Sequence, residues 1–122
     1  AEPTRHVARH WVSEPLLDLP VVGLRLRSRR TVGHGIRSSG VEFPAIEVRW
    51  YNQKIGLRLV GGARTRTLRN LFHERGVPPW ERWRLPVLYI DDSVAYVPGI
   101  GVADSFAARA DEPGIEFLLE ER

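Results

Sequence analysis

The sequence predicts an α+β domain, a small and mainly antiparallel β-sheet or sandwich with a short helix–Pro-Pro–helix insertion. Three observations point there. Apolar residues alternate at Val22, Leu24 and Leu26, at Ile46, Val48 and Trp50, and at Ile55, Leu57 and Leu59, which is strand periodicity. Between residues 64 and 84 that alternation gives way to helical spacing, interrupted by Pro78-Pro79. After Pro86 two short β-rich runs flank Asp91-Asp92-Ser93, the pattern of a hairpin.

The elements follow in order. Thr4 can cap a short helix through Val7, Trp11 and Val12 that Pro15 stops. From Pro20 a strand carries Arg25 and Arg27 on the face opposite its leucines, and Ser28 to Gly40 is expected as a basic, turn-rich loop. A second strand places Glu47, Arg49 and Tyr51 opposite Ile46, Val48 and Trp50. Asn52-Gln53 turns it into a third, where Arg58 opposes the apolar residues. Gly61-Gly62 ends the alternation. A helix through Leu68, Leu71 and Phe72 can be capped by Thr65 or Thr67, and Gly76 suits its left-handed C-terminal position. Pro79 can open a second short helix, Trp80 to Arg84, with Leu68, Leu71, Phe72 and Trp80 supplying core. Pro98 to Gly101 form a corner, and Ile115 to Glu120 are the last strand.

Composition bounds the function. The chain has 122 residues, 43% hydrophobic, which fits one domain, or one domain with an arm. A chain of this size buries about two thirds of its unfolded surface, enough for a real core. No apolar run approaches the roughly 20 residues of a membrane span and no secretion signal is evident, so a cytoplasmic location is expected. With 0 Cys, disulfides, cysteine zinc sites and thiol catalysis are excluded. With 0 Met, either an initiator was removed before Ala1 or the chain is a piece of a longer one.

Charge is unevenly spread. Residues 1–84 hold 16 basic against 7 acidic residues, a balance of +9, whereas residues 85–122 hold 2 against 8, a balance of −6. Every basic residue but Lys54 is arginine, whose planar fork suits phosphates and stacking, although GC-rich coding produces the same bias.

Catalytic patterns are absent. His6 and His10 have metal-ligand spacing, but neither His34 nor His73 is spaced to complete a site. Asp91-Asp92 suits a turn, Gly99 and Gly101 lack the third glycine of a dinucleotide fingerprint, and Asp104-Ser105 has no nucleophile elbow. By contrast, Arg64, Arg66, Arg69, Arg75, Arg82 and Arg84 are interleaved with Trp80 and Trp83. Arginines beside helix N-termini favour phosphate, and an adjacent aromatic can stack on a base. The bland alternative makes these arginines simply the wet faces of two helices.

Four segments carry a family resemblance: Leu68-Arg69-Asn70-Leu71-Phe72, Val77-Pro78-Pro79-Trp80, Arg82 and Arg84 leading to Pro86-Val87-Leu88-Tyr89, and Val97-Pro98-Gly99-Ile100-Gly101. Together they closely resemble the C-terminal domain of tRNA(Ile)-lysidine synthetase. Weaker similarity runs through Ile46-Glu47-Val48-Arg49 and from Pro113 to Glu120. The resemblance divides the chain into an arm, lead-in strand and basic loop at 1–45, and a lysidine-synthetase C-terminal-like domain at 46–122. It departs from the family at Asn52 to Leu57, where the usual turn glutamate is missing, and at Trp83, where a small or acidic residue is usual.

The resemblance implies a parent ligase that uses ATP and Mg to attach lysine to the wobble cytidine of an isoleucine tRNA. The PP-loop catalytic domain is absent from this chain, since Ser38-Ser39-Gly40 does not match its loop. The chain alone is therefore expected to be non-catalytic and without a cofactor, a tRNA-binding domain that meets acceptor-stem phosphates. Arg64, Arg66, Arg69, Arg82, Arg84 and Trp80 are the expected RNA-binding residues, with Arg82 foremost because it also matches a family position; Arg82 is equally placed to brace the Pro-Pro corner. The alternative is a protein-interaction module that docks onto a catalytic domain without touching RNA.

Overall fold

A computed structural model describes residues 10–11, 16–19, 23–38, 45–51, 54–62 and 64–121. Its strands are β1 (His10–Trp11), β2 (Leu16–Leu19), β3 (Leu24–Val32), β4 (Ile36–Arg37), β5 (Glu47–Trp50), β6 (Gly56–Leu57) and β7 (Arg66–Thr67), then β8 (Pro86–Ile90), β9 (Ser93–Val97), β10 (Gly101–Val102) and β11 (Pro113–Glu121). Among the described residues the helices are α1 (Leu68–Glu74) and α2 (Pro79–Arg82), with a 3-10 turn at Asp104–Phe106. All the pairings are antiparallel.

The alternating leucines of β3 explain the layers. Leu24 and Leu26 turn one way, with Leu19, Ile36, Ile115 and Phe117 of the four-stranded sheet β2-β3-β11-β4. They meet Ile46, Val48, Leu88, Ala95 and Val102 of the five-stranded sheet β1-β5-β8-β9-β10. Val87 and Val97 of that second sheet face a separate core with Leu57, Leu68, Leu71, Phe72, Ile100 and Ala103. The five-stranded sheet is thus covered on both faces, by the other sheet and by α1. This accounts for the continuous apolar run at the start of β8, whose first three residues are all buried.

The β8–β9 hairpin turns through Asp91 and Asp92, with φ of 49° and 63°, the left-handed pair that matches strand twist. Its ladder pairs Leu88 with Tyr96 and Tyr89 with Val94, leaving Ala95 as an extra residue in a bulge.

Two expectations from the sequence are corrected. His10 and Trp11, expected in a helix, pair with Val48 and Glu47 as an edge strand; the rest of that expected helix lies outside the described residues. Ser28 to Val32, expected as loop, continue β3, and Ile36–Arg37 form β4. The cause is distant in sequence. β11 pairs with β3 over nine registered residues, from Pro113↔Val32 to Glu121↔Leu24, and brings carboxylates to the arginines. Glu116 pairs with Arg29, and Arg27 Nε donates to Glu120 Oε2 at 3.0 Å. On the other side Arg25 Nε donates to Asp18 Oδ1 of β2 at 3.2 Å. Cross-strand opposite charges favour this register, and the basic body and acidic tail neutralise one another there.

Candidate nucleic-acid interface

The segment rich in arginine and tryptophan is built around two buried anchors, Leu68 and Phe72, on the inner face of α1. Thr67 caps that helix, its hydroxyl accepting from Asn70 N–H at 3.2 Å. At the other end Gly76 adopts φ 73°; its N–H donates to His73 O at 3.1 Å and Val77 N–H donates to Phe72 O at 2.9 Å. This paired closure satisfies the last carbonyls and turns the chain into Pro78. Pro79 then starts α2, where a missing N–H costs nothing.

The expected RNA-binding residues separate into three groups. Arg64 and Arg69 are exposed, and neither forms an ion pair among the described residues. Arg69 shares the outer face of α1 with His73, one turn on. Arg66 and Arg84 are partly buried and already paired. Arg66 bonds Glu74, while Arg84 lies 3.3 Å from Glu81 Oε2 and 3.5 Å from Glu121 Oε2. Arg82 is only 8% exposed, and its Nε and Nη2 both donate to Val77 O, at 3.0 and 2.8 Å. Its guanidinium is turned inward to brace the Pro-Pro corner, the second of the two roles its place in the sequence allowed.

For Trp80 it is the core expectation that fails. Leu68, Leu71 and Phe72 are buried as core, but Trp80 is 72% exposed. A one-turn helix has a single inward face, and on α2 the buried residue is Arg82. Trp83, the C-cap residue of α2, is 38% exposed, so the helix and its cap present two aromatic residues to solvent.

Arg75 is no more than part of the run in the sequence, and the structure gives it a place. Its Nη1 and Nη2 donate to the carbonyls of Gly99 and Ile100 at 3.3 and 3.4 Å, tying the end of α1 to the Pro98 corner. It also joins a charge cluster. The Glu74 carboxyl is held below the ordinary carboxylate range, first by its hydrogen bond from Arg66, with further pull from the charges of Arg66, Arg75 and Arg64. The charges of three arginines act on this one carboxylate, and only Arg66 is bonded to it. No sequence spacing identifies this cluster, because Arg64 and Arg66 precede α1 while Glu74 and Arg75 end it.

Several other arginines are engaged elsewhere in the fold. Arg29 is paired with Glu116, and Arg37 Nη2 donates to Ser105 O at 3.5 Å. Arg49 bonds Glu47 and Asp92, and its guanidinium lies 4.3 Å from the Tyr89 ring centroid. Among the described residues no group of three or more histidine, aspartate or glutamate side chains could hold a metal ion. No helix among them is long and apolar enough to cross a membrane.

Comparison with known proteins gives one family throughout. A family model described as the TilS substrate C-terminal domain matches residues 46–119. The tRNA(Ile)-lysidine synthase of Azoarcus sp. (strain BH72) is 44% identical over 59 residues, 48% of this chain and 13% of that protein. That of Aromatoleum aromaticum is 34% identical over 107 residues, 86% of this chain and 25% of that protein. That of Alkalilimnicola ehrlichii is 32% identical over 113 residues, 93% of this chain and 24% of that protein. The chain therefore spans a quarter or less of the length of these relatives. A crystal structure of a TilS C-terminal domain superposes with a TM-score of 0.66 at 25% identity, covering 93% of this chain and 98% of that one.

Proposed function

The chain belongs to the TilS substrate C-terminal domain family, and from that premise we propose that it is a tRNA-holding domain of a lysidine-forming ligase. In this reading the parent enzyme works in the cytoplasm and joins lysine to the wobble cytidine of tRNA(Ile), with ATP and Mg handled by a catalytic domain outside this chain. The domain meets the acceptor stem through its phosphates. A-form RNA is read mainly through phosphates, 2′-hydroxyls and shape, so a cationic corner suffices without base contacts.

The observation that carries this reading is the exposure of Arg64, just before α1, and of Arg69, on its outer face, neither of them in an ion pair among the described residues. Arg64 and Arg69 are the principal phosphate ligands. Arg66 and Arg84 add charge while paired, and exposed Trp80 stacks on a base or sugar. Arg82 keeps the corner in shape. A titration of tRNA(Ile) and of a second tRNA against the folded chain, over several salt concentrations, tests the reading. Salt-dependent binding with little preference between the tRNAs is expected, and absence of binding at low salt overturns it.

A second reading, docking onto a catalytic domain without RNA contact, has one observation in its favour. Arg25, Arg27, Arg29, Arg66 and Arg84 are already matched with carboxylates of the same chain. The same titration separates the two readings.

A further inference from the structure

A second surface lies at the other side of the Pro-Pro corner. A groove of about 530 Å³ runs between Val77, Pro78 and Leu85 on one wall and Pro98, Gly99 and Ile100 on the other, with Phe72 at its base. Its remaining side is formed by Phe117, Leu118 and Leu119, three consecutive residues of β11. Successive side chains of a strand point to opposite faces, so three in a row line one groove by presenting the strand's edge.

That edge is open. β3 occupies one side of β11 along its whole length, but β4 pairs on the other side only at Gly114 and Ile115. The hydrogen bonds fix which groups point outward. Gly33 N–H donates to Glu112 O at 2.9 Å on the β3 side, and Ser38 N–H donates to Pro113 O at 3.1 Å on the β4 side. Antiparallel alternation, unbroken in the β3–β11 register, then turns the main-chain groups of residues 115, 117 and 119 away from β3. Phe117 O accepts from the Tyr96 hydroxyl at 3.3 Å. The N–H and C=O of Leu119 bond no backbone group of a described residue on that side.

We propose that this groove binds an extended polypeptide segment, which adds as a strand to the open edge of β11 at Leu119. The segment places an apolar side chain against Phe72, Val77 and Ile100 and a lysine or arginine beside Glu81. Main-chain pairing supplies affinity and the pocket for alternate side chains supplies selectivity. The rim charge favours a peptide over RNA. Glu81 lines the groove, and Arg84 is shared between Glu81 and Glu121, one guanidinium for two carboxylates. Arg75, beyond the opposite wall, is committed to the carbonyls of Gly99 and Ile100 and faces Glu74. Arg82 is committed as well, its buried guanidinium closed on Val77 O, which leaves the carboxylates of Glu81 and Glu121 to Arg84. The site is separate from the Arg64–Arg69 corner, so either proposal can fail alone.

The test uses seven-residue peptides alternating valine with lysine or valine with glutamate, added to the full chain and followed by amide NMR shifts. The lysine peptide is expected to shift Leu119, Val77 and Ile100, to bind at least tenfold more tightly than the glutamate peptide, and to slow exchange of the Leu119 amide. An N-methylated lysine peptide, unable to pair as a strand, should lose binding. Glu81→Lys, at a half-exposed side chain that folding tolerates, should reverse the charge preference. No groove shifts at millimolar peptide, undiminished binding by the N-methylated peptide, or equal binding of both charges overturns the proposal. Groove shifts on adding pentauridylate, or on raising protein concentration alone, would replace the peptide by RNA or by a second copy.

Discussion

Arg82 closes its guanidinium on one main-chain oxygen five residues upstream, with Nε and Nη2 at 3.0 and 2.8 Å from Val77 O. The contact spans the Pro78-Pro79 corner and holds the end of α1 against the start of α2. Both prolines lack a donor, so the corner has few main-chain bonds of its own and depends on a side chain to fix it.

Replacing Arg82 by Ala should therefore act on folding and not on charge recognition. A charge-assisted hydrogen bond contributes about 1.5–3 kcal/mol, and urea unfolding should report a loss in that range. Arg82→Lys should recover only part of it, since an ammonium cannot present the same fork. Under conditions where the variant is folded, its salt slope for tRNA should match that of the parent chain.

Glu74 offers a pH measurement. Its carboxyl lies below the usual range because Arg66 donates to it and because the charges of Arg66, Arg75 and Arg64 favour its ionised form. A carboxyl whose folded value is depressed stabilises the fold above the ordinary carboxylate range, and that contribution is lost as pH falls through the folded midpoint. A carbon-detected NMR titration should place the Glu74 midpoint below that of an unperturbed glutamate. Arg66→Ala should move it upward, and an unmoved midpoint would remove Arg66 as the main cause.

Two glycines separate backbone strain from steric conflict. Gly76 has φ 73° and nothing within 4 Å of the place a Cβ would take, so Gly76→Ala should cost only the left-handed backbone penalty, about 1–2 kcal/mol. Gly114 sits where β11 passes the β3–β4 turn, and a Cβ there would overlap His34 O, with Thr31 Oγ1 at 2.9 Å. Gly114→Ala should be the more damaging of the two, and comparison of their denaturant midpoints checks the order.

What the sequence makes legible is local. The Leu68 helix, its Thr67 cap, the Gly76 closure and the Asp91-Asp92 turn all depend on neighbours a few residues away, and each is visible in spacing. Ser28 to Val32 read as loop because they carry almost no apolar residue, and only β11, far along the chain, supplies their partners. The charge asymmetry misleads for the same reason, since Glu116 and Glu120 fold back onto Arg29 and Arg27. At the candidate site, sequence points to the right segment but not to the direction of each side chain. Arg82 and Trp80 sit two apart on a one-turn helix, which places one inward and the other in solvent. Spacing alone does not say which.

The central claim is that Arg64 and Arg69 meet tRNA phosphates, and the most direct measurement is the salt dependence of tRNA binding by the chain and its Arg64→Ala and Arg69→Ala variants. Each lost phosphate contact should weaken binding to all tRNAs alike and reduce the slope of log K against log salt by about 0.7–0.9. Unchanged slopes in both folded variants would contradict it.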